Sequence, residues 1–101
     1  MESNHEIEKI KNQKAVALRY RPDDPAPRVI AKGRGYVAGR IIETADSSGI
    51  PVHRDAGLAE ELTKIEIGKY IPPELYEIVA QVLIFLGELD RLEGLRRGGS
   101  E

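Results

Sequence analysis

Apolar residues in this chain come in short bursts whose spacing switches between strand-like and helix-like. Residues 15–20 (Ala-Val-Ala-Leu-Arg-Tyr) are dense enough in apolar side chains to predict a strand. The following Arg21-Pro22-Asp23-Asp24-Pro25-Ala26-Pro27 holds three prolines, which exclude both a helix and a central strand. Residues 28–32 predict a second strand, paired with the first across this stiff loop. Gly33 and Gly35 end that strand and open a helix over residues 36–47, whose Val37, Ala38, Ile41, Ile42 and Ala45 form one apolar stripe. Ser48-Gly49-Ile50-Pro51 marks its end: a glycine for a left-handed cap, an apolar residue, then proline.

A short strand over residues 50–54 is expected next, giving a strand–helix–strand unit with a right-handed parallel crossover. Asp55 is placed to cap a short helix over residues 56–64, with Leu58, Leu62 and Ile65 facing inward. Ile65-Glu66-Ile67 suggests a stub of strand before Gly68. Pro72-Pro73 suits the first turn of a helix running to about Leu89, where Leu75, Ile78, Val79, Val82, Leu83 and Leu86 make a broad apolar face widened by Phe85 and Leu89. The expected fold is α/β, a mixed α+β arrangement with a small sheet of about four strands flanked by helices. It is one domain over residues 14–90, with a polar arm or helix at 1–13 and a solvated tail at 91–101.

Charge narrows the partners. Fifteen Lys and Arg nearly balance seventeen Asp and Glu, giving a formal net charge of −2, and no dense basic run appears. Duplex nucleic acid would require a basic face, so nucleic acid is not an expected partner. The absence of cysteine removes disulfides and thiolate chemistry. No segment has the length and apolarity of a signal peptide or a membrane span, which predicts a cytoplasmic protein without direct membrane insertion.

Candidate chemistry is sparse. Gly33-Arg34-Gly35-Tyr36-Val37-Ala38-Gly39 lies between a strand and a helix, with Asp55 about twenty residues beyond, as a dinucleotide site would have it. The glycine spacing is one residue longer than the common fingerprint, and further βαβ units are missing. A tight strand-to-helix turn with Asp55 as a cap is the favoured reading, and nucleotide binding through Gly33 and Gly35 is the alternative. His5 and His53 do not converge with carboxylates into a metal site, and no serine sits in a nucleophile elbow. Neither a metal, a cofactor nor an enzymatic activity is expected.

Four ordered blocks carry a resemblance: Ala-Val-Ala-Leu-Arg-Tyr (15–20), Ala-Pro-Arg-Val-Ile-Ala-Lys-Gly (26–33), Gly-Ile-Pro-Val (49–52) and Ile-Glu-Ile-Gly-Lys-Tyr-Ile-Pro-Pro-Glu-Leu-Tyr-Glu-Ile-Val-Ala-Gln-Val-Leu (65–83). Together they resemble the cytoplasmic C-terminal domain of the FlhB/YscU family, the export switch of flagellar and injectisome type III secretion. The resemblance implies a small mixed sheet flanked by helices and, ahead of the first strand, a self-cleaving Asn-Pro-Thr-His loop. The matching positions here are Ile10, Lys11, Asn12 and Gln13. Ile10 offers no side-chain amide and Lys11 no proline geometry, so self-cleavage is not expected. With only a polar arm ahead of it, the chain reads as a free-standing, non-cleaving homologue. It would bind export apparatus proteins or export substrates, placed at the secretion base by the inner membrane. The resemblance puts the protein-binding patch at Ala26 and Pro27, expected to be poorly covered in their loop, and at Ala80 and Leu83 on the last helix.

Overall fold

Two strands and the proline-rich loop between them organise the fold. The computed structural model describes residues 12–98, with side chains described for residues 12–87. Strand β1 (Lys14–Arg19) pairs antiparallel with β2 (Arg28–Arg34), as the two apolar bursts predict. The register slips once: Ala17 faces Ala31 and Leu18 faces Val29, so Ile30 is an extra residue on β2 and stands exposed. Helix α1 (Tyr36–Ser47) packs on both strands, and helix α2 (Ala56–Thr63) lies chiefly against β1. The buried apolar residues here are Ala15, Ala26, Val29, Ala38, Leu58, Leu62 and Ile71.

The helix ends follow the local signals. At the α1 C-terminus, Ile50 N–H donates to the Ala45 carbonyl (2.8 Å) and Gly49 N–H to that of Asp46 (3.3 Å), with Gly49 at φ 72°. This is a Schellman cap, and only a residue tolerant of positive φ fits its corner without strain. At the α2 N-terminus, the Asp55 carboxylate accepts from Leu58 N–H at 3.0 Å. The far end of α2 is closed from β2: Lys32 Nζ donates to the carbonyls of Thr63 (2.9 Å) and Ile65 (2.7 Å).

The sheet itself departs from expectation. Among the described residues it has two hydrogen-bonded strands, both antiparallel, in place of about four in a mixed sheet. Residues 50–54 form no strand and no crossover. They lie exposed after the Schellman turn, Pro51 has no N–H to donate, and among the described residues no strand pairs with them. The expected stub at Ile65-Glu66-Ile67 is displaced toward Tyr70. Gly68 N–H donates to the Val29 carbonyl (2.7 Å), Val29 N–H to Lys69 (2.9 Å) and Ile71 N–H to Pro27 (2.9 Å), with one bridge pairing Arg28 and Tyr70. Gly68, at φ 93°, makes the turn into this run.

By its contacts the chain divides between Ile71 and Pro72. In the second unit Pro73–Leu75 is a single 3₁₀ turn, closed by Leu75 N–H on the Pro72 carbonyl (3.0 Å), and helix α3 (Tyr76–Gly98) follows. Proline at the start is as the sequence predicts, but the helix does not stop near Leu89. Residues 91–98 of the segment expected as a tail are helical, and 99–101 lie outside the described residues. The expected arm at 1–13 likewise lies outside them up to residue 11.

Candidate protein-binding surface

The loop carrying Ala26 and Pro27 is built from its own polar residues. Pro22 presets the turn, Asp24 N–H donates to the Arg21 carbonyl (2.9 Å), and the Asp24 carboxylate accepts from Arg21 N–H (3.0 Å). This reciprocal pair fixes the loop tip and directs the chain inward at residue 26. Ala26 is only 3 % exposed and Pro27 is buried, contrary to the expectation that a rigid apolar loop would be poorly covered. The reason is the backbone bond from Ile71 to the Pro27 carbonyl, which draws the nearly fully buried Ile71 to this end of the loop.

Ala80 and Leu83 belong to the second unit, one helical turn apart on α3. Ala80 is exposed and Leu83 half-buried. Val79 is buried, whereas Ile78, Ile84 and Phe85 stand exposed, the last two at 64 % and 58 %. The broad apolar face read from the sequence is thus only partly covered, and Phe85 does not extend its buried part.

The glycine motif has a packing role. A Cβ on Gly33 would lie 2.2 Å from Val37 Cγ1, 2.8 Å from Val37 Cβ and 3.2 Å from its backbone carbon. Gly33 is therefore the position at which the first turn of α1 closes on β2. Gly35, at φ 59° and ψ −125°, makes the corner, and its N–H is taken by the Gln13 carbonyl (2.9 Å). Gln13 Nε2 donates back to the Gly35 carbonyl at 3.3 Å. Asp55 is occupied in capping α2, and among the described residues no parallel strand follows α1. Among the described residues the alternative of nucleotide binding at Gly33 and Gly35 finds no βαβ unit, and its acid, Asp55, is spent as a cap.

Charged groups elsewhere are mostly structural. Lys14 and Glu60 meet at 2.9 Å and tie β1 to α2. The hydrogen bond from Lys14 and its charge hold the Glu60 carboxyl below its ordinary range, aided by Arg34 and Lys64 and opposed by desolvation. Lys64–Glu61 is an exposed pair on the helix surface, of the kind that contributes little. His53 lies in the exposed segment, and among the described residues no cluster of His, Asp or Glu could hold a metal ion. No described helix is long and apolar enough to cross a membrane.

The residue that sequence reading passed over is Tyr70. It stands beside Arg28, whose Nη2 donates to the Tyr70 hydroxyl at 2.6 Å and whose Cζ lies 4.6 Å from the ring centroid. Arg28 in turn faces Arg19 across the hairpin. The available signal was the run after Gly68, where a glycine turn precedes Lys-Tyr-Ile.

Comparison with known proteins places this arrangement. The family described as FlhB HrpN YscU SpaS matches residues 12–86. The uncharacterized protein YlqH of Bacillus subtilis (strain 168) is 44 % identical over 79 residues, spanning 77 % of this chain and 85 % of that protein. The flagellar biosynthetic protein FlhB of Aquifex aeolicus (strain VF5) is 43 % identical over 74 residues, 71 % of this chain but only 21 % of that protein. The chain therefore spans about a fifth of the length of that FlhB. The solved C-terminal domain of PscU has a TM-score of 0.70 and 34 % identity, covering 73 % of this chain and 96 % of that one. A mutated EscU/SpaS C-terminal domain gives 0.70 and 37 %, covering 72 % and 93 %. Matched in sequence over residues 12–86, and in fold to two such C-terminal domains, the chain belongs to the FlhB/HrpN/YscU/SpaS family.

Proposed function

We propose that this domain is a non-enzymatic protein-binding module of a flagellar or injectisome-type export apparatus. It engages export substrates or other apparatus components, as an adapter or partial substitute for the export-switch cytoplasmic domain. Its place is the cytoplasmic side of the inner membrane. The observation that carries this reading is the similarity over residues 12–86 to a family whose members include flagellar FlhB and the PscU C-terminal domain. The non-enzymatic part rests on Ile10-Lys11-Asn12-Gln13 at the position of the self-cleaving motif. Ile10 and Lys11 lie outside the described residues, so this rests on their chemistry alone.

Of the four candidate contact residues, Ala80 offers direct access, with Leu83 half-covered one turn on and Ile84 and Phe85 exposed along the same helix. Ala26 and Pro27 contribute by setting the shape of their loop, because both are buried. The test is capture of purified export apparatus proteins and early export substrates by the immobilised full chain. Ala80→Asp should fold and bind at least about tenfold more weakly, because docking would strip water from an unpaired charge. Pro27→Asp should fail to fold at all. An Ala80→Asp variant that binds as the parent does would remove Ala80 from the site. A folded parent that captures none of these proteins would remove the function.

A further inference from the structure

We propose that Arg19, Arg28 and Tyr70 form a second recognition site, which takes the side-chain carboxylate of an acidic peptide segment on a protein partner. The three residues stand in one row across the fold. Arg19 is opposite Arg28 in the β1–β2 register, and Arg28 is bridged to Tyr70. Directly opposed residues of antiparallel neighbours share a face, with Cβ atoms about 4.5–5.5 Å apart, and like charges there repel. A hairpin that sets two arginines directly opposite each other is relieved by an anion that offsets their charge. Among the described residues no carboxylate reaches either one: the ion pairs are Lys14–Glu60 and Lys64–Glu61. The acids of the adjoining loop do not fill the role, since Asp24 is hydrogen-bonded to Arg21 N–H and Asp23 is exposed in the turn.

Two donors of the row are unspent. The Nε atoms of both Arg19 and Arg28 are buried and, among the described residues, meet no hydrogen-bond partner, an arrangement that is costly for a charged donor. Arg28 is aimed by the Tyr70 ring beneath it and by the hydroxyl that accepts from its Nη2. That hydroxyl keeps its own hydrogen, and accepting from a cation makes it a better donor. A carboxylate over the row would meet Nη groups of two arginines and the Tyr70 O–H. A turn of either guanidinium outward would add its Nε–H in the side-on fork that carboxylates favour. Arg21 and Lys69, neighbours in sequence to the row, add positive charge in a chain whose net charge is −2. A row of this length suits one acidic side chain and its neighbour. Nucleic acid would call for a longer basic track.

This site rests on the reading that the domain binds proteins, and not on which apolar residues do so. The test is a ¹⁵N NMR titration of the arginine Nε–H signals of the full chain, assigned with Arg19→Lys and Arg28→Lys. The titrants are a blocked peptide rich in Asp and Glu, its Asn and Gln counterpart, and inorganic phosphate. The acidic peptide should shift both Nε–H signals saturably, and the amide peptide should not. Arg28→Lys, which keeps the charge but loses the fork, should weaken the affinity roughly ten- to a hundredfold. Tyr70→Phe should weaken it less. No saturable shift, an equal response to the amide peptide, or phosphate binding as tightly as the acidic peptide would each overturn the assignment. If the acidic peptide fails while export apparatus proteins still bind, this site alone falls. If those proteins fail as well, the proposed function falls with it.

Discussion

Replacing Gly33 by alanine adds one methyl group at the closest approach of β2 and α1. The new Cβ would sit 2.2 Å from Val37 Cγ1 and 2.8 Å from Val37 Cβ, far inside van der Waals contact. Rotating the Val37 side chain relieves only the first of these. The second and the 3.2 Å approach to the Val37 backbone carbon remain, so the first turn of α1 must move away from the strand. Overpacking of this kind costs about 1–3 kcal/mol, partly offset by the roughly 0.5–1 kcal/mol that alanine gains over glycine in a strand. In a domain of this size 1 kcal/mol corresponds to about 4–8 °C in Tm, so Gly33→Ala should lower Tm by roughly 5–15 °C, followed by circular dichroism. Val37→Ala should cost little alone, because Val37 is 54 % exposed. The double variant should recover only the share of the loss due to Cγ1, since Val37→Ala leaves the Cβ and backbone-carbon contacts in place. A coupling indistinguishable from zero between positions 33 and 37, or a Gly33→Ala chain as stable as the parent, would refute the close-approach account. Gly87→Ala is the control: nothing lies within 4 Å of its added Cβ, and an alanine within α3 should stabilise by up to about 1 kcal/mol.

Three further outcomes are expected. Asp55→Ala should remove the cap of α2 and cost about 1 kcal/mol in urea denaturation, while Asp55→Asn, which keeps an acceptor for Leu58 N–H, should cost less. Because the Glu60 carboxyl is held below its ordinary range, its contribution is full above that range and is lost as pH falls through the lowered folded value. Stability measured from neutral into acid pH should therefore fall less steeply in Glu60→Gln than in the parent, and equal slopes would count against the Lys14 contact as the cause. The purified chain should keep its intact mass over days at neutral pH, and complementary fragments divided near residue 10 would show that cleavage needs neither asparagine nor proline there.

Local chemistry was legible where a few neighbouring residues decide the outcome. Ser48-Gly49-Ile50-Pro51 predicts the Schellman cap because its hydrogen bonds all lie within six residues, and Asp55 predicts its cap for the same reason. The β1–β2 pairing was legible because the prolines between the strands leave a short excursion. Strand identity away from the hairpin was not. Residues 50–54 have strand-like composition, but a strand needs a partner edge, and the run around Tyr70, not this segment, pairs beside Arg28 and Val29. The burial of Ala26 and Pro27 escaped for the same reason, since it depends on Ile71, far along the chain. A solvated tail was expected over residues 91–101, yet α3 continues through Gly98, because glycine only weakens a helix that neighbouring residues favour. At the candidate surface the sequence located Ala80 and Leu83 on one helix, but could not separate the exposed alanine from the half-buried leucine. The Arg19–Arg28–Tyr70 row was hidden, because it appears only once register is known.

The ammonium of Lys32, held by the carbonyls of Thr63 and Ile65, makes this lysine a built-in timer. The two hydrogen bonds hold the Nζ of half-buried Lys32 against α2 and slow its reaction with an acylating reagent, whereas Lys64 has one exposed ion-pair partner and Lys69 stands exposed. Brief labelling followed by peptide mass spectrometry should therefore mark Lys64 and Lys69 first and Lys32 late. The lag at Lys32 measures how often the end of α2 detaches from β2, a local opening that melting curves of the whole domain would average away.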